Sequence, residues 1–198
     1  MILTSIAEVR NYMLELSRNL PGSGERFSLV ANRTELLSEV VQELKLPSKY
    51  LSIAQKNRIL GISIGFFDLS PSLSSNSLED SLLDGNGSDS LVKMFGDNSL
   101  VAVACCESNP ICVASSVSDH PDVVYFLDTM SGPQWNVCEI ADDFEKFILL
   151  AANLHQISFD FEGDLVGGRD EMAKCCVLNS CSPKQAAFWD QQAVMMLA

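Results

Sequence analysis

Residues 100–138 read LVAVACCESNPICVASSVSDHPDVVYFLDTMSGPQWNVC, and this stretch decides the fold. Residues 100–106 form a continuous apolar run, and Ser108-Asn109-Pro110 is a turn. A second run covers 111–117, followed by the turn Ser118-Asp119-His120-Pro121. A third run covers 123–127, Ser131-Gly132-Pro133 turns again, and 135–138 is a fourth. Strand-like runs spaced about 12 residues apart and joined by short turns predict an antiparallel meander. Continuous apolar runs, rather than clean alternation, say that helices cover one face of the sheet.

Upstream, residues 59–69 (ILGISIGFFDL) combine β-branched and aromatic residues with interior glycines, which predicts a further strand bulged at Gly61 or Gly65. Residues 70–90 are serine-rich and predict a long loop with one helical turn at 78–83. Three helices are expected before that. Ser5-Ile6-Ala7-Glu8 is a capping-box pattern opening a helix that Pro21-Gly22-Ser23-Gly24 stops. Leu37, Val40, Val41 and Leu44 share one face of a second helix over 34–44, and Pro47 opens a short third reaching about 56.

Downstream, Phe144, Phe147, Ile148 and Ala151 mark the inner face of a helix over 140–154. Residues 157–161 alternate like a short edge strand, and Gly167-Gly168-Arg169 reads as a turn. Ser182-Pro183-Lys184-Gln185 starts a last helix that packs back through Phe188 and Trp189. The expected class is therefore α+β: N-terminal helices, a twisted antiparallel sheet of four to six strands, and C-terminal helices packed on the sheet. Residues 1–154 form the domain, and 155–198 a helical extension packed on it.

At 198 residues, 47% hydrophobic and 20% charged, the chain has the composition of one globular domain. Its formal charge of −13 argues against direct nucleic-acid binding, where Lys and Arg supply the affinity. No apolar run spans a bilayer and the N-terminus lacks a signal-peptide pattern, so a cytoplasmic chain with no membrane role is expected. Seven cysteines, with adjacent pairs at Cys105-Cys106 and Cys175-Cys176, fit reduced thiols better than a disulfide framework. Cys175, Cys176 and Cys181 lack zinc-ligand spacing, and residues 84–89 lack the spacing and closing Glu of a calcium loop. Neither histidine, His120 or His155, belongs to a catalytic motif, and no nucleophile elbow or phosphate-binding glycine pattern occurs. No metal, no cofactor and no enzymatic activity are expected.

The acidic residues are unevenly spread. Between Asp119 and Glu171 there are twelve carboxylates against Lys146 and Arg169, a net −10 of the total −13. Such a stretch is either a solvated face or a docking surface for a basic protein, steering its approach.

The order of elements resembles the SMI/KNR-type branch of the SUKH superfamily. Residues 35–44 and Leu46-Pro47-Ser48-Lys49-Tyr50 resemble its acidic helix and Leu-Pro-x-x-Tyr signature. Ile111-Cys112-Val113 and Val124-Tyr125-Phe126-Leu127-Asp128 are similar to its central strands, Gly132 to its hairpin glycine, and Phe144-Glu145-Lys146-Phe147-Ile148 to the start of its last helix. The Asn-Gly expected after the Tyr helix is absent: Arg58 follows Asn57, and glycine comes only at Gly61. The resemblance covers roughly 31–154 and implies an immunity protein that neutralises a cognate toxin domain of a contact-dependent or type VI system. That toxin would be a basic nuclease or other secreted effector. The expected contact has an acidic rim of Asp119, Asp122, Asp128, Asp142, Asp143 and Glu145, with Tyr125 and Trp135 as apolar anchors. The partner is a protein, and the chain itself a monomer or weak dimer. The alternative is a regulatory or scaffold module of the same fold.

Overall fold

A computed structural model of the chain describes residues 2–19, 29–31, 36–72, 74–130 and 136–198. The architecture is α+β, with one six-stranded antiparallel sheet in sequence order, β1-β2-β3-β4-β5-β6, and helices before and after it. Three helices lead in: α1 (Ile6–Asn19), α2 (Ser38–Leu44) and α3 (Ser48–Ala54). Ser5 Oγ accepts the Glu8 N–H at 3.3 Å, while the Glu8 carboxylate reaches one residue further back, to the Thr4 N–H and hydroxyl. The second helix starts later than its sequence pattern predicts. Leu37 is extended, with φ −58 and ψ 132, and Leu36 is drawn into the core, 7% exposed. Residues 32–35, where that expected helix begins, lie outside the described residues, as do the stop at 21–24 and the hairpin glycine at 132.

The predicted strand over 59–69 is a tight hairpin instead, β1 (Ser63–Ile64) and β2 (Phe67–Asp68). Gly65 stands at φ 59 at the first of its two turn residues, the place where a two-residue hairpin needs a left-handed conformation. The serine-rich segment is also more ordered than its composition suggests. It contains α4 (Leu78–Gly85), capped by Ser77 Oγ accepting the Asp80 N–H at 3.0 Å, and leads to α5 (Leu91–Phe95), capped by Ser90 and closed by Gly96 at φ 84. Serine caps, not serine flexibility, explain the composition.

The meander follows as β3 (Leu100–Cys106), β4 (Asn109–Ala114), β5 (Val124–Asp128) and β6 (Asn136–Ala141). The first turn is tighter than expected. Glu107, at φ 55, and Ser108 make it, so Asn109 and Pro110 already belong to β4. Between Ala102 and Ala104 the β3–β4 register shifts, and Asn86 fills the gap. Its side chain accepts the Ala102 N–H at 2.8 Å and donates to the Ala102 carbonyl at 2.9 Å.

Helix α6 (Phe144–Asp160) continues through the segment that alternation marked as an edge strand. Ile157 continues the buried stripe of Phe144, Phe147, Ile148, Ala151 and Leu154, so the helical period overrides a short alternating pattern. The helix crosses residue 154 without a break. The glycine pair read as a turn lies inside α7 (Leu165–Leu178), and α8 (Pro183–Leu197) completes the chain with the expected capping box at Ser182 and Gln185. Gly168 sits where α7 packs closely on α6 and α8: a Cβ there would meet Leu197 Cδ1 at 2.3 Å and Phe161 Cβ and Ile157 Cγ2 at 3.3 Å.

The main core lies between the sheet and α6, α8, α3 and α1. Tyr50 packs edge-on against Phe144 at 5.0 Å, and the buried Trp189 lies against Phe67 and Phe147 while its Nε1–H donates to the Ile140 carbonyl at 2.8 Å. Phe188 and Trp189 thus seat the C-terminal helix on the sheet. The opposite face is not bare. Val92 and Phe95 of α5 join Leu100, Ala102, Cys112, Leu127, Tyr125 and Val137 in a smaller cluster.

Candidate partner-binding surface

One end of the sheet gathers the acidic residues. β4 ends there at Ala114, β5 starts at Val124, β6 ends at Ala141, and α6 begins immediately after. The 115–123 connection is pinned to the N-terminal helices through the Ser116 N–H, which donates to the Lys45 carbonyl at 2.8 Å, and folds back through Asp122 N–H to Ala114 O at 3.1 Å. Asp122 takes φ 74 in that turn, a conformation aspartate tolerates because its short side chain bonds locally. Its Oδ1 accepts the Lys49 N–H at the start of α3, at 2.9 Å.

Asp143 is the N-cap of α6. Its Oδ1 accepts the Lys146 N–H at 2.9 Å and its Oδ2 takes the Lys49 ammonium at 2.8 Å, in a setting where only 7% of the residue is exposed. Asp142 accepts from Lys146 Nζ and from Gln185 Nε2, and the same Gln185 amide donates to Glu139 at 2.8 Å. Burial pushes the Asp142 carboxyl up, but the hydrogen bonds from Gln185 and Lys146 outweigh it and hold the group below the usual carboxylate range. The hydrogen bond to Asp143, reinforced by its charge, raises the Lys49 ammonium.

The expected rim therefore divides. Asp122, Asp142 and Asp143 converge, but much of their hydrogen-bonding capacity is spent within the fold. Asp119 and Glu145 are exposed at the same end and, among the described residues, take no hydrogen-bond or ion-pair partner. Asp128 does not belong with them. It ends β5 opposite Asn136, about 13 Å along the strand from Val124, and accepts the Met130 N–H at 3.0 Å. Tyr125 is half-buried on the far face of the sheet. It lines a groove of about 530 Å³ between β6 and α8, together with Cys138, Glu139, Lys184 and Phe188. Burial, and next the charge of Glu139, push its hydroxyl up. Trp135 lies outside the described residues.

Three contributors were not singled out from the sequence. Lys49 sits within the Leu-Pro-x-x-Tyr pattern, where its spacing gives no hint of Asp122 and Asp143 far along the chain. Glu139 and Gln185 meet through a side-chain contact between β6 and α8. Only the capping-box role of Gln185 was visible locally.

The two histidines lie far apart, and neither takes part in the carboxylate network. His120 is exposed in the 115–123 connection. His155 is buried on α6, its Nδ1 3.1 Å from the Tyr12 hydroxyl and its ring edge-on to Phe159. Among the described residues, no group of three or more His, Cys, Asp or Glu side chains could hold a metal ion, and no helix is long and apolar enough to cross a membrane. No protein-family model, no curated protein and no solved structure matches the chain.

Proposed function

We propose that the chain is an immunity protein of the SMI/KNR type, which binds a basic toxin domain encoded beside it and neutralises it by protein–protein contact. The observation that carries this reading is the convergence of the 115–123 connection, the end of β6 and the first turn of α6. Together they present Asp119, Asp122, Asp142, Asp143 and Glu145 at one end of the sheet. Asp122, Asp142 and Asp143, held by Lys49, Lys146 and Gln185, form a rigid base, and Asp119 and Glu145 project from it. A preorganised anionic surface of this kind speeds the approach of a cationic partner and rejects acidic ones. The SUKH-like order of elements adds the kind of partner.

The test is growth rescue. The chain is co-expressed with the variable C-terminal domain of the secreted protein encoded next to it, and the association rate is measured as salt rises. Rescue is expected, with an on-rate that falls steeply between low and physiological salt. Asp119→Lys with Glu145→Lys should slow association by about tenfold while leaving the fold intact, because among the described residues neither side chain holds a hydrogen bond or ion pair. Failure of the intact chain to rescue growth, or an on-rate indifferent to both salt and the double reversal, overturns the proposal.

A further inference from the structure

The turn between α7 and α8 brings two thiols face to face. Ser180 takes φ 57, its N–H donates to the Val177 carbonyl at 3.0 Å, and the Cys181 N–H donates to the Cys176 carbonyl at 2.9 Å. This is the Schellman ending of a helix. It sets the residue after the left-handed position against the third residue from the helix end, where an apolar contact usually forms. Those two positions are Cys181 and Cys176. A backbone N···O distance of 2.9 Å keeps their Cα atoms within about 6.8 Å, inside the span of a disulfide. The thiols are within hydrogen-bonding reach of each other. Cys176 is buried at 4% exposure, and Cys181 is half-buried at the mouth of the turn, one residue before the N-cap of α8.

We propose that Cys176 and Cys181 are a redox modification site, which hydrogen peroxide converts to a disulfide tying the end of α7 to the turn that leads into α8. Cys181 attacks and Cys176 resolves. The Cys181 thiolate forms an S–O bond with the peroxide as the O–O bond breaks and the leaving oxygen departs with a proton as water. The Cys176 sulfur then displaces the hydroxyl of the resulting sulfenic acid. An S–S bond forms, the S–O bond breaks, and the Cys176 proton leaves in a second water. Two thiols are oxidised and one peroxide is reduced.

The surroundings assign the two roles. The hydrogen bond from Cys176 pulls the Cys181 thiol down against its burial and Asp142, and Lys146 helps. The same hydrogen bond and burial push Cys176 up, so it stays protonated until the sulfenic acid forms. Cys105, Cys106, Cys112, Cys138 and Cys175 are all pushed up, chiefly by burial, and are poor first nucleophiles. The reduced pair is the resting state that the cysteine pattern of the sequence predicts.

The full chain is treated with limiting hydrogen peroxide, alkylated, digested with trypsin and weighed. Residues 175–184 fall in one peptide carrying Cys175, Cys176 and Cys181. That peptide should take up one alkyl group instead of three, weigh two hydrogens less than its mono-alkylated dithiol form, and revert on reduction. Cys175→Ser should leave the loss intact and Cys176→Ser should abolish it. In Cys176→Ser, a dimedone adduct should instead accumulate on Cys181, and far-UV circular dichroism checks that each variant folds. The proposal is overturned if the wild-type peptide keeps all its thiols while another cysteine oxidises, or if Cys175→Ser removes the disulfide. It is also overturned if folded Cys176→Ser gives no sulfenic acid at Cys181.

Discussion

Replacing Asp143 separates what the acidic surface does for the fold from what it offers a partner. Its carboxylate caps α6 and pairs with Lys49. Loss of an N-cap side chain costs about 1 kcal/mol. The ion pair adds about 0.5 kcal/mol, because the Lys49 side chain is 58% exposed and solvent screens it. Asp143→Ala should therefore cost about 1.5 kcal/mol. Asp143→Asn keeps a capping oxygen and gives up the charge, so it should cost about 0.5 kcal/mol. With a urea slope of about 2 kcal/mol per molar, the midpoints should fall by about 0.75 M and about 0.25 M. Urea unfolding followed by circular dichroism reads both. An unchanged midpoint in Asp143→Ala would refute the capping argument, and Asn as damaging as Ala would move the stabilisation from the cap to the ion pair. Either result also bears on binding experiments: a charge reversal that includes Asp143 perturbs α6 as well as the surface, which is why Asp119 and Glu145 are the cleaner probes.

Two other perturbations test the packing of α6 against the N-terminal segment. Burial holds His155 below its ordinary pKa, so the unfolded chain takes up a proton first as pH falls. Its contribution is complete above about pH 6.5 and is lost as pH drops toward the depressed native value. His155→Phe should flatten the loss of stability between pH 7.5 and 5.5 relative to wild type, and equal slopes in urea titrations would defeat this. Asn153, 2% exposed, ties the N-terminal segment to α6 by accepting the Leu3 N–H at 2.8 Å and donating to the Leu3 and Leu149 carbonyls. Asn153→Ala should cost about 3 kcal/mol, about 1 per buried hydrogen bond, and should speed amide exchange in α1 before the sheet. Uniform exchange across the chain would show that the clasp is not local.

The meander, the inner face of α6 and the capping box of α8 could be read from the chain because each depends on neighbours within a few residues. Apolar runs separated by turn residues specify strands, and Ser182 with Gln185 specifies a helix start, whatever lies beyond. The same local logic failed where two local signals competed. Residues 157–161 alternate, yet they extend a helix whose buried stripe reaches Ile157. Gly167 and Gly168 look like a turn, yet both lie inside α7, whose N-cap Asp164 accepts the Gly167 N–H and whose Gly168 packs against Leu197, twenty-nine residues later. The acidic surface shows the same division. Its carboxylates were countable from composition, but the sharing of Asp122 and Asp143 with Lys49, and of Asp142 and Glu139 with Gln185, is a property of packed elements. Local free energies of capping and turn formation are set by residues adjacent in the chain. Which carboxylate keeps a free lone pair depends on partners that only the closing of the sheet and the docking of α3 and α8 bring within reach.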